Sequence, residues 1–454
     1  MIYQYLFLSF AALMLLFNLI FRLFNDKTGQ FVINVIFPLL LVGSAVMMDL
    51  SGYSGVVANV FSINPFSMFM FMIFTAGYLL ISIIAFNYSE NYMDFALIAN
   101  FALLGMYLVF AATSTITIFL GLELSSIPMV FAILLSKKGI EAAAKLFILA
   151  SIAISVLSFA IVIMYGTTNS FALSSYSGGA LVAFAGILFI SALGFEASVF
   201  PFNVLIPDIY TGSPAYLTGM LGGLNKKVGL VALMQILILV FITDKQLFIL
   251  VAILSVLTMT YGNIVALVQR NTKRMLAYSS ISQAGYILIG IAAATAQGAA
   301  ASFFQIFAHM FIFIGMMGIV AMLEMNNRSE VDELIGLKGE NRFAAFALTL
   351  FMLSLIGLPF TTGFFGKFML FLSAINANLV WLAIIGVINS VISIFYYIRA
   401  IMAMYTDKEG GRPVPMSITL SFAVLVCILI TIAFGVYPQP IVNLADGAAA
   451  FLYH

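Results

Sequence analysis

The chain has 454 residues, of which 64% are hydrophobic and only 8% are charged, and its formal net charge is +1. Soluble domains carry roughly 25% charged residues, so this composition excludes a soluble globular protein, a disordered chain and a nucleic-acid-binding protein. The apolar residues form continuous runs of about 20, the length of a membrane-spanning helix, without the ten-residue alternation of a membrane barrel. The sequence therefore predicts an all-α polytopic membrane protein in a lipid bilayer.

Few residues are available to bind a metal or a redox group. The chain has one cysteine, Cys427, and two histidines, His309 and His454. These are too few for a disulfide framework, a haem or a zinc site. We therefore expect no cofactor and no metal, and a chemistry that uses protons or ions.

The apolar runs predict 14 transmembrane helices. Residues 2–22 are a retained first helix rather than a signal peptide, because the basic residues follow the apolar run instead of preceding it. The predicted spans are 2–22, 32–50, 64–87, 93–112, 114–136, 141–165, 180–203, 212–242, 246–268, 273–294, 299–323, 343–373, 378–405 and 415–437. The tail at 439–453 is expected to lie on the membrane surface.

The distribution of basic residues predicts the orientation. If loops are numbered by the spans they join, the odd loops hold twelve lysines and arginines, whereas the even loops hold only Lys245. Cytoplasmic loops carry the excess of positive charge, so the odd loops are predicted to be cytoplasmic and both termini to lie outside the plasma membrane. The twelve are Arg22, Lys27, Lys137, Lys138, Arg270, Lys273, Arg274, Arg328, Lys338, Arg342, Lys408 and Arg412.

Seven ionisable residues fall inside predicted spans. Each costs on the order of 3 kcal/mol at a helix centre, so the set indicates a function, although a single charge near a span end can be a structural ion pair or can reach the interface. Lysine suits proton transfer, because burial and neighbouring carboxylates tune its affinity for a proton. The seven are Glu123, Lys145, Glu196, Lys226, Lys227, Lys367 and Arg399.

Two spans are predicted to be broken. Residues 194–202 and 357–367 combine glycine with proline, which disrupts helical hydrogen bonding. Each break carries an ionisable residue, Glu196 or Lys367. Interrupted helices in both halves of a chain indicate an inverted repeat with its site at the membrane midplane. The alternative for either break is an ordinary proline kink.

The breaks predict a division into four parts. The N-terminal helices occupy 1–92, the first five-helix repeat 93–242 and the second, inverted repeat 243–405. The last span and the tail occupy 406–454.

Four stretches resemble the antiporter-like membrane subunits of respiratory complex I and its relatives, most closely the subunit N type. In chain order they are PDIYTGSP at 207–214, KRMLAYSSISQAGY at 273–286, GFFGKF at 363–368, and NSVIS at 389–393 followed by YYIR at 396–399. The resemblance covers nearly the whole chain. It implies 14 helices, two inverted five-helix repeats, breaks in helices 7 and 12, and a proton path of buried lysines with a glutamate in helix 5.

The resemblance assigns roles to individual positions. It matches Glu123 to the helix-5 glutamate, and Lys145, Lys226 and Lys367 to the lysines of helices 6, 8 and 12. Lys227 has no counterpart in the family and is a possible proton relay. Asp208, at a predicted cytoplasmic turn, either caps a helix or stands at a proton entrance.

The sequence also departs from the family pattern. Glu196 occupies the place of the usual helix-7 lysine, five residues before Pro201, and Gln283 replaces a frequent helix-10 histidine. A second acid near Glu123 is expected to share a proton or to recruit Lys226 or Lys145. His309 is either a proton relay or a neutral core histidine, and Phe313 replaces the lysine that sister and antiporter subunits usually carry four residues later.

The expected function is that of a proton-translocating membrane subunit of a complex I-like NADH- or F420H2-quinone oxidoreductase. It would work beside further antiporter-like subunits and hold no redox group. The alternatives are a subunit of a multisubunit Na+/H+ antiporter or of a membrane-bound hydrogenase complex, and a structural scaffold with vestigial sites. The charged loop at 324–342 is either a solvated loop or a docking surface.

Overall fold

The structure is a computed structural model that describes residues 2–52, 54–57, 61–136, 139–174, 176, 179–407 and 413–453, with side chains described from residue 6 onward. Lys137, Lys138, Lys408, Arg412 and His454 lie outside the described residues. Their predicted positions in the loops and the tail are therefore not compared with the structure.

The described residues form nineteen α-helices, one π-helix, one 3-10 helix and one small hairpin. The α-helices are α1 (Ile2–Leu23), α2 (Lys27–Leu50), α3 (Pro65–Tyr88), α4 (Tyr92–Phe110), α5 (Thr115–Leu134), α6 (Ile140–Thr168), α7 (Ala180–Ala197), α8 (Ile206–Gly212), α9 (Ala215–Met220), α10 (Lys226–Leu239), α11 (Lys245–Leu267), α12 (Thr272–Ala292), α13 (Ala296–Met325), α14 (Leu337–Glu340), α15 (Arg342–Ile356), α16 (Thr362–Asn376), α17 (Val380–Tyr405), α18 (Ile418–Val436) and α19 (Gln439–Tyr453). The π-helix is Leu221–Asn225, the 3-10 helix is Asp332–Leu334, and the hairpin strands are β1 (Gly55–Val57) and β2 (Phe61–Ile63).

Thirteen helices within the described ranges are long and apolar enough to cross a membrane. This finding confirms a polytopic helical membrane protein, while the count of 14 stays a prediction. The all-α fold is accompanied by one antiparallel pairing, of β1 with β2, each of three residues. The hairpin lies between α2 and α3, where the sequence leaves the apolar runs.

Helices begin where the sequence supplies a side-chain cap. Asn64 and Ser67 form a reciprocal capping box at the start of α3, with Pro65 in its first turn. Ser114 caps α5 and Thr295 caps α13 through backbone N–H groups in the first turn. These groups would otherwise lack hydrogen-bond partners, so local sequence fixes where the spans start.

Both predicted breaks are present, and they revise the predicted spans. α7 ends at Ala197 rather than at 203, and Ser198 follows it in a left-handed conformation with φ 64°. The predicted twelfth span is two helices of 15 residues, α15 and α16, separated at Gly357, whose φ is 104°. A backbone at that angle favours glycine.

A third irregularity lies inside the predicted eighth span. The π-helix Leu221–Asn225 separates α9 from α10 and ends directly before Lys226. π-Helical turns insert extra backbone into a helix and occur often at functional sites. The sequence analysis did not predict this one.

α13 is the central helix of the bundle. It has 30 residues, and the window that would cross the membrane is wholly buried. α3, α12, α16, α18 and α19 pack against it. α19 thus belongs to the packed bundle through its apolar face, whereas the sequence had placed the tail on the membrane surface.

The two predicted repeats pack in matching order. α4 lies against α5 and α5 against α6, and likewise α11 lies against α12 and α12 against α13. The backbones of α4 and α5 meet at Gly105 and Gly121, whereas Gly262 of α11 packs on Ser282 and Gly285 of α12 packs on Met259. A Cβ atom at residue 105 would lie 2.7 Å from the carbonyl oxygen of Gly121. The division at 93–242 and 243–405 stays a prediction.

We predict that Gly105→Ala weakens the contact between α4 and α5. The added methyl group would meet backbone atoms, which cannot move aside as a flexible side chain can, and overpacking costs about 1–3 kcal/mol. The measurement is the thermal stability of the purified protein. Gly43→Ala in α2 is the matched control, because nothing lies within 4 Å of its new Cβ atom. Equal effects of the two variants would contradict the close approach.

Candidate functional site

Two acids, the half-buried Glu123 and the buried Glu196, meet between α5 and α7. Glu196 is 9% exposed and accepts a 2.8 Å hydrogen bond from the Ser126 hydroxyl. Ser126 is three residues after Glu123 and therefore on the same face of α5. Glu123 and Glu196 are close enough for their charges to repel each other. The structure therefore brings together the two acids that the sequence singled out, and it adds Ser126.

A small cavity of about 20 Å3 lies beside this acid pair. Ser126 and Glu196 line it together with apolar side chains of α5, α6 and α7. A space of this size holds one water molecule, which needs polar partners of the kind that these two residues supply. The cavity can thus place a water molecule beside the Glu196 carboxyl and the Ser126 hydroxyl.

Lys226 and Lys227 begin α10 directly after the π-helix. Both are buried, with exposures of 4% and 1%. Lys226 interacts electrostatically with Glu196 in the first half, and Lys227 interacts with His309 on α13 in the second half. Adjacent positions on a helix point in different directions, so this pair of lysines links the two halves.

His309 lies in the middle of the central helix and is fully buried. Neither ring nitrogen has a hydrogen-bond partner among the described residues. Its ring stacks on Phe313 at a centroid distance of 5.4 Å. The residue is therefore not a satisfied core histidine, which was one of the two interpretations of the sequence.

Lys367 sits at the second break. Its ammonium donates hydrogen bonds of 2.6 Å and 3.3 Å to the carbonyl oxygens of Leu355 and Ile356, at the end of α15, and one of 2.8 Å to Ser390. It also lies 4.6 Å from the ring centroid of Tyr286. The last carbonyls of a helix lack intrahelical partners and carry partial negative charge. The break therefore builds the site that holds a buried lysine without a carboxylate.

Lys145 and Asp208 belong to a separate ion cluster. The Lys145 ammonium pairs with Glu141 at 2.7 Å and with Asp208 at 2.9 Å, and Asp208 also pairs with Arg274 on α12 at 2.6 Å. The hydrogen bond from Lys145 holds the pKa of Asp208 below its usual range. Asp208 is therefore ionised at neutral pH and joins α6, α8 and α12. Of the two lysines predicted as partners of Glu196, Lys145 belongs to this ion cluster and Lys226 is the one near Glu196.

A second ion pair lies beside an open cleft at the same end of α12. Lys273 pairs with Glu324 and donates a 2.6 Å hydrogen bond to the carbonyl oxygen of Ser213. Glu324 also accepts a 2.9 Å hydrogen bond from the backbone of Ala215. Both residues line a cleft of about 530 Å3. These contacts tie the segment after α8 to α12 and α13.

The sequence missed several partners of these charges. Arg274 and Ser390 lie in stretches that had been noted for other reasons, whereas Ser126 had not been noted. The partners of Ser126, Arg274 and Ser390 are 70, 66 and 23 residues away. Among the described residues, no group of three or more His, Cys, Asp or Glu side chains is placed to hold a metal ion. The arrangement offers proton donors and acceptors rather than ligands.

Comparisons with known proteins agree with this geometry. Residues 112–393 match the family described as NADH:quinone oxidoreductase/Mrp antiporter, TM. The F(420)H(2) dehydrogenase subunit N of Methanosarcina mazei is 32% identical over 91% of this chain and 90% of its own length. The NADH-quinone oxidoreductase subunit N 1 of Herpetosiphon aurantiacus is 36% identical, over 87% of this chain and 85% of its own length. A chain of respiratory complex I from Thermus thermophilus is 25% identical with a TM-score of 0.85, covering 97% of this chain and 99% of that one.

We predict that Asp208→Asn destabilises the protein by about 1–2 kcal/mol, because Lys145 and Arg274 lose a partly buried charged partner. The measurement is the thermal stability in detergent. Glu141→Gln is the control, since Glu141 binds the same lysine but its side chain is 79% exposed, against 30% for Asp208.

The pH dependence of this effect has a defined sign. The pKa of Asp208 is lowered in the folded protein, so its contribution is fully present above the ordinary carboxyl pKa and is lost only as the pH falls through the lowered value. The difference between Asp208→Asn and the parent protein should therefore be constant between about pH 6 and 8. A difference that disappears on going from pH 8 to pH 6 would show that Asp208 titrates there.

Proposed function

This chain belongs to the NADH:quinone oxidoreductase/Mrp antiporter transmembrane family, and we propose that it is a proton-translocating membrane subunit of a complex I-like redox pump. The observation that carries the proposal is the row of ionisable residues, buried except for the half-buried Glu123, that runs from the acid pair through Lys226, Lys227 and His309 to the lysine of the second break. Uncompensated buried charge costs several kcal/mol per ion. A structural scaffold in the membrane does not require buried ionisable residues, so this row favours a function in proton transfer.

The proposed path begins at the acid pair. Two unit charges at about 4 Å and an effective dielectric of about 20 repel each other by about 4 kcal/mol. Glu196 also lies in the last turn of α7, where the helix dipole disfavours negative charge. Glu123 and Glu196 would therefore share one proton in at least one state of the cycle.

A change in the charge of the acid pair then affects Lys226 and Lys227. When a proton reaches the acids, Lys226 loses the attraction that stabilises its ammonium, and the release of its proton becomes easier. Lys227 and His309 continue the row into the second half, and Lys367 ends it at the break between α15 and α16. Lys145 and Asp208 would lie at the entrance, where Asp208 acts as a fixed charge.

Electron transfer elsewhere in the assembly would drive these steps through electrostatic and conformational change. The relatives named as subunit N of NADH-quinone oxidoreductase and of F(420)H(2) dehydrogenase support a redox assembly. This chain would work beside other membrane subunits, including further antiporter-like ones, and carry no redox group. We place it in the plasma membrane with both termini outside, following the distribution of basic residues.

A subunit of a Na+/H+ antiporter is the second candidate, because the family includes Mrp antiporters and the fold alone does not separate the two. Phe313 at the position of the usual helix-11 lysine counts against it. A membrane-bound hydrogenase complex differs only in its electron donor. The subunits that co-purify with this chain would distinguish these assemblies.

We predict that Lys367→Ala leaves assembly near normal and sharply reduces proton pumping. The ammonium is held mainly by carbonyl oxygens that solvent can satisfy after the change, whereas its titratable group is lost. The measurement is proton uptake in vesicles reconstituted with the whole complex, with the electron-transfer rate recorded in parallel. Lys245→Ala, at the start of α11 and outside the row, is the control. Unchanged pumping by Lys367→Ala would remove this residue from the path and contradict the proposed function.

We predict that two substitutions of Glu196 differ in their proton pumping. Glu196→Gln keeps the hydrogen bond with Ser126 but cannot carry a proton, so pumping should fall. Glu196→Lys supplies a partner of opposite charge for Glu123, as in the usual family pattern, and should pump better than Glu196→Gln. The assay is the same proton uptake, measured at several pH values. Full pumping by Glu196→Gln throughout that range would refute the role of the acid pair.

A further inference from the structure

Asn225, the last residue of the π-helix, joins that helix to α5. Its side-chain nitrogen donates a 2.9 Å hydrogen bond to the backbone carbonyl oxygen of Ser125. Asn225 is 2% exposed, and Ser125 is fully buried. Ser125 lies directly before Ser126, whose hydroxyl binds Glu196. The hydrogen bond of Asn225 therefore reaches α5 at the turn that contacts the acid pair.

The turn of α5 that accepts this hydrogen bond is weakened by a proline. Pro128 lies inside α5 and has no N–H group, so the carbonyl oxygen of Leu124, four residues earlier, loses its usual helical donor. The proline ring also crowds that carbonyl group. Ser125 is the next residue, so Asn225 binds α5 where the helix is held least by its own hydrogen bonds.

The start of α10 also lies directly on the helix that carries Glu196. Gly229 is three residues after Lys226 and therefore on the same face of α10. A Cβ atom at residue 229 would lie 2.7 Å from the backbone nitrogen of Ala197 and 2.9 Å from the carbonyl carbon of Glu196. Both distances are too short for a side chain. Gly229 thus lets α10 approach the end of α7, as Asn225 binds the preceding π-helix to α5.

We propose that Asn225 and Gly229 are positioning residues that fix Lys226 relative to Glu123 and Glu196. Lys226 follows Asn225 directly and precedes Gly229 by one helical turn, so the two contacts lie on either side of it in the chain. Its interaction with Glu196, and the repulsion between Glu196 and Glu123, weaken with distance. The spacing of α5, α7 and α10 therefore determines how strongly the charge of the acids acts on the lysine.

This inference rests on the proposed function, but its geometry can be tested without a pumping assay. An electron cryo-microscopy structure of the intact parent complex should show the Asn225 amide bound to the Ser125 carbonyl oxygen. The same complex with Asn225→Leu should show Lys226 displaced relative to Glu196 by about 1 Å, which is enough to slow a transfer step. An unchanged position of Lys226 in that variant would overturn the proposal.

The functional part uses Asn225→Leu, which keeps the approximate volume and removes the donor, and Gly229→Ala, which pushes α10 away from α7. Each should lower proton uptake by vesicles that contain the whole complex by roughly tenfold, the rate change that corresponds to one lost hydrogen bond. Asn225→Gln keeps an amide donor and should retain most of the pumping.

The matched controls are Asn100→Leu in α4 and Gly166→Ala in α6, both outside the proposed row. Asn100 is also buried, and its nitrogen donates a 3.1 Å hydrogen bond to Asn34 on a neighbouring helix. Its side-chain oxygen, like that of Asn225, has no partner among the described residues. A Cβ atom at residue 166 meets nothing within 4 Å. Both controls should pump like the parent complex, even where Asn100→Leu lowers the thermal stability.

The outcomes separate this proposal from the function on which it rests. If Lys367→Ala stops pumping while Asn225→Leu or Gly229→Ala pumps like the parent complex, this inference is wrong. If Asn225→Gln fails as Asn225→Leu does, or Asn100→Leu lowers pumping equally, the role of Asn225 is packing and the proposal is also wrong. If Lys367→Ala pumps normally, the proposed function fails first. For variants that do not assemble, the parent structure decides, because absence of the contact between Asn225 and Ser125 there would contradict the proposal.

Discussion

The contact between the Lys367 ammonium and the last carbonyls of α15 is the interaction on which the second half depends. A helix that ends inside a membrane exposes carbonyl oxygens that lipid cannot satisfy, and a lysine there is a charge that lipid cannot solvate. The carbonyl oxygens stabilise the ammonium, and the ammonium satisfies the carbonyl oxygens, through hydrogen bonds of 2.6 Å and 3.3 Å. The break thus supplies the site that holds the lysine, and water can satisfy the same carbonyl oxygens when the lysine is removed.

At the first break the ionisable residue is an acid, Glu196, instead of a lysine. Glu196 lies where the helix end would favour a cation, and it compensates through the Ser126 hydroxyl and the nearby Lys226. The positive partner of the acids is thus Lys226 on α10, directly after the π-helix, the lysine that the resemblance matches to helix 8.

The sequence predicted the breaks and most buried charges for a simple physical reason. Charges such as Glu123, Lys226 and Lys367 are conspicuous in apolar runs, and glycine with proline marks interrupted helices. The sequence could not predict that Asp208 joins Lys145 to Arg274, because those partners are 63 and 66 residues away. The π-helix and the hairpin were missed because neither changes the overall hydrophobicity of its segment.

The proton-to-electron ratio of the reconstituted complex with Lys226→Met tests the central claim most directly. Lys226 stands where the first half meets the second, so an interruption there should block the row while electron transfer continues. The account predicts fewer protons moved for each electron pair than in the parent complex. An unchanged ratio, with normal assembly, would contradict a continuous path through these residues.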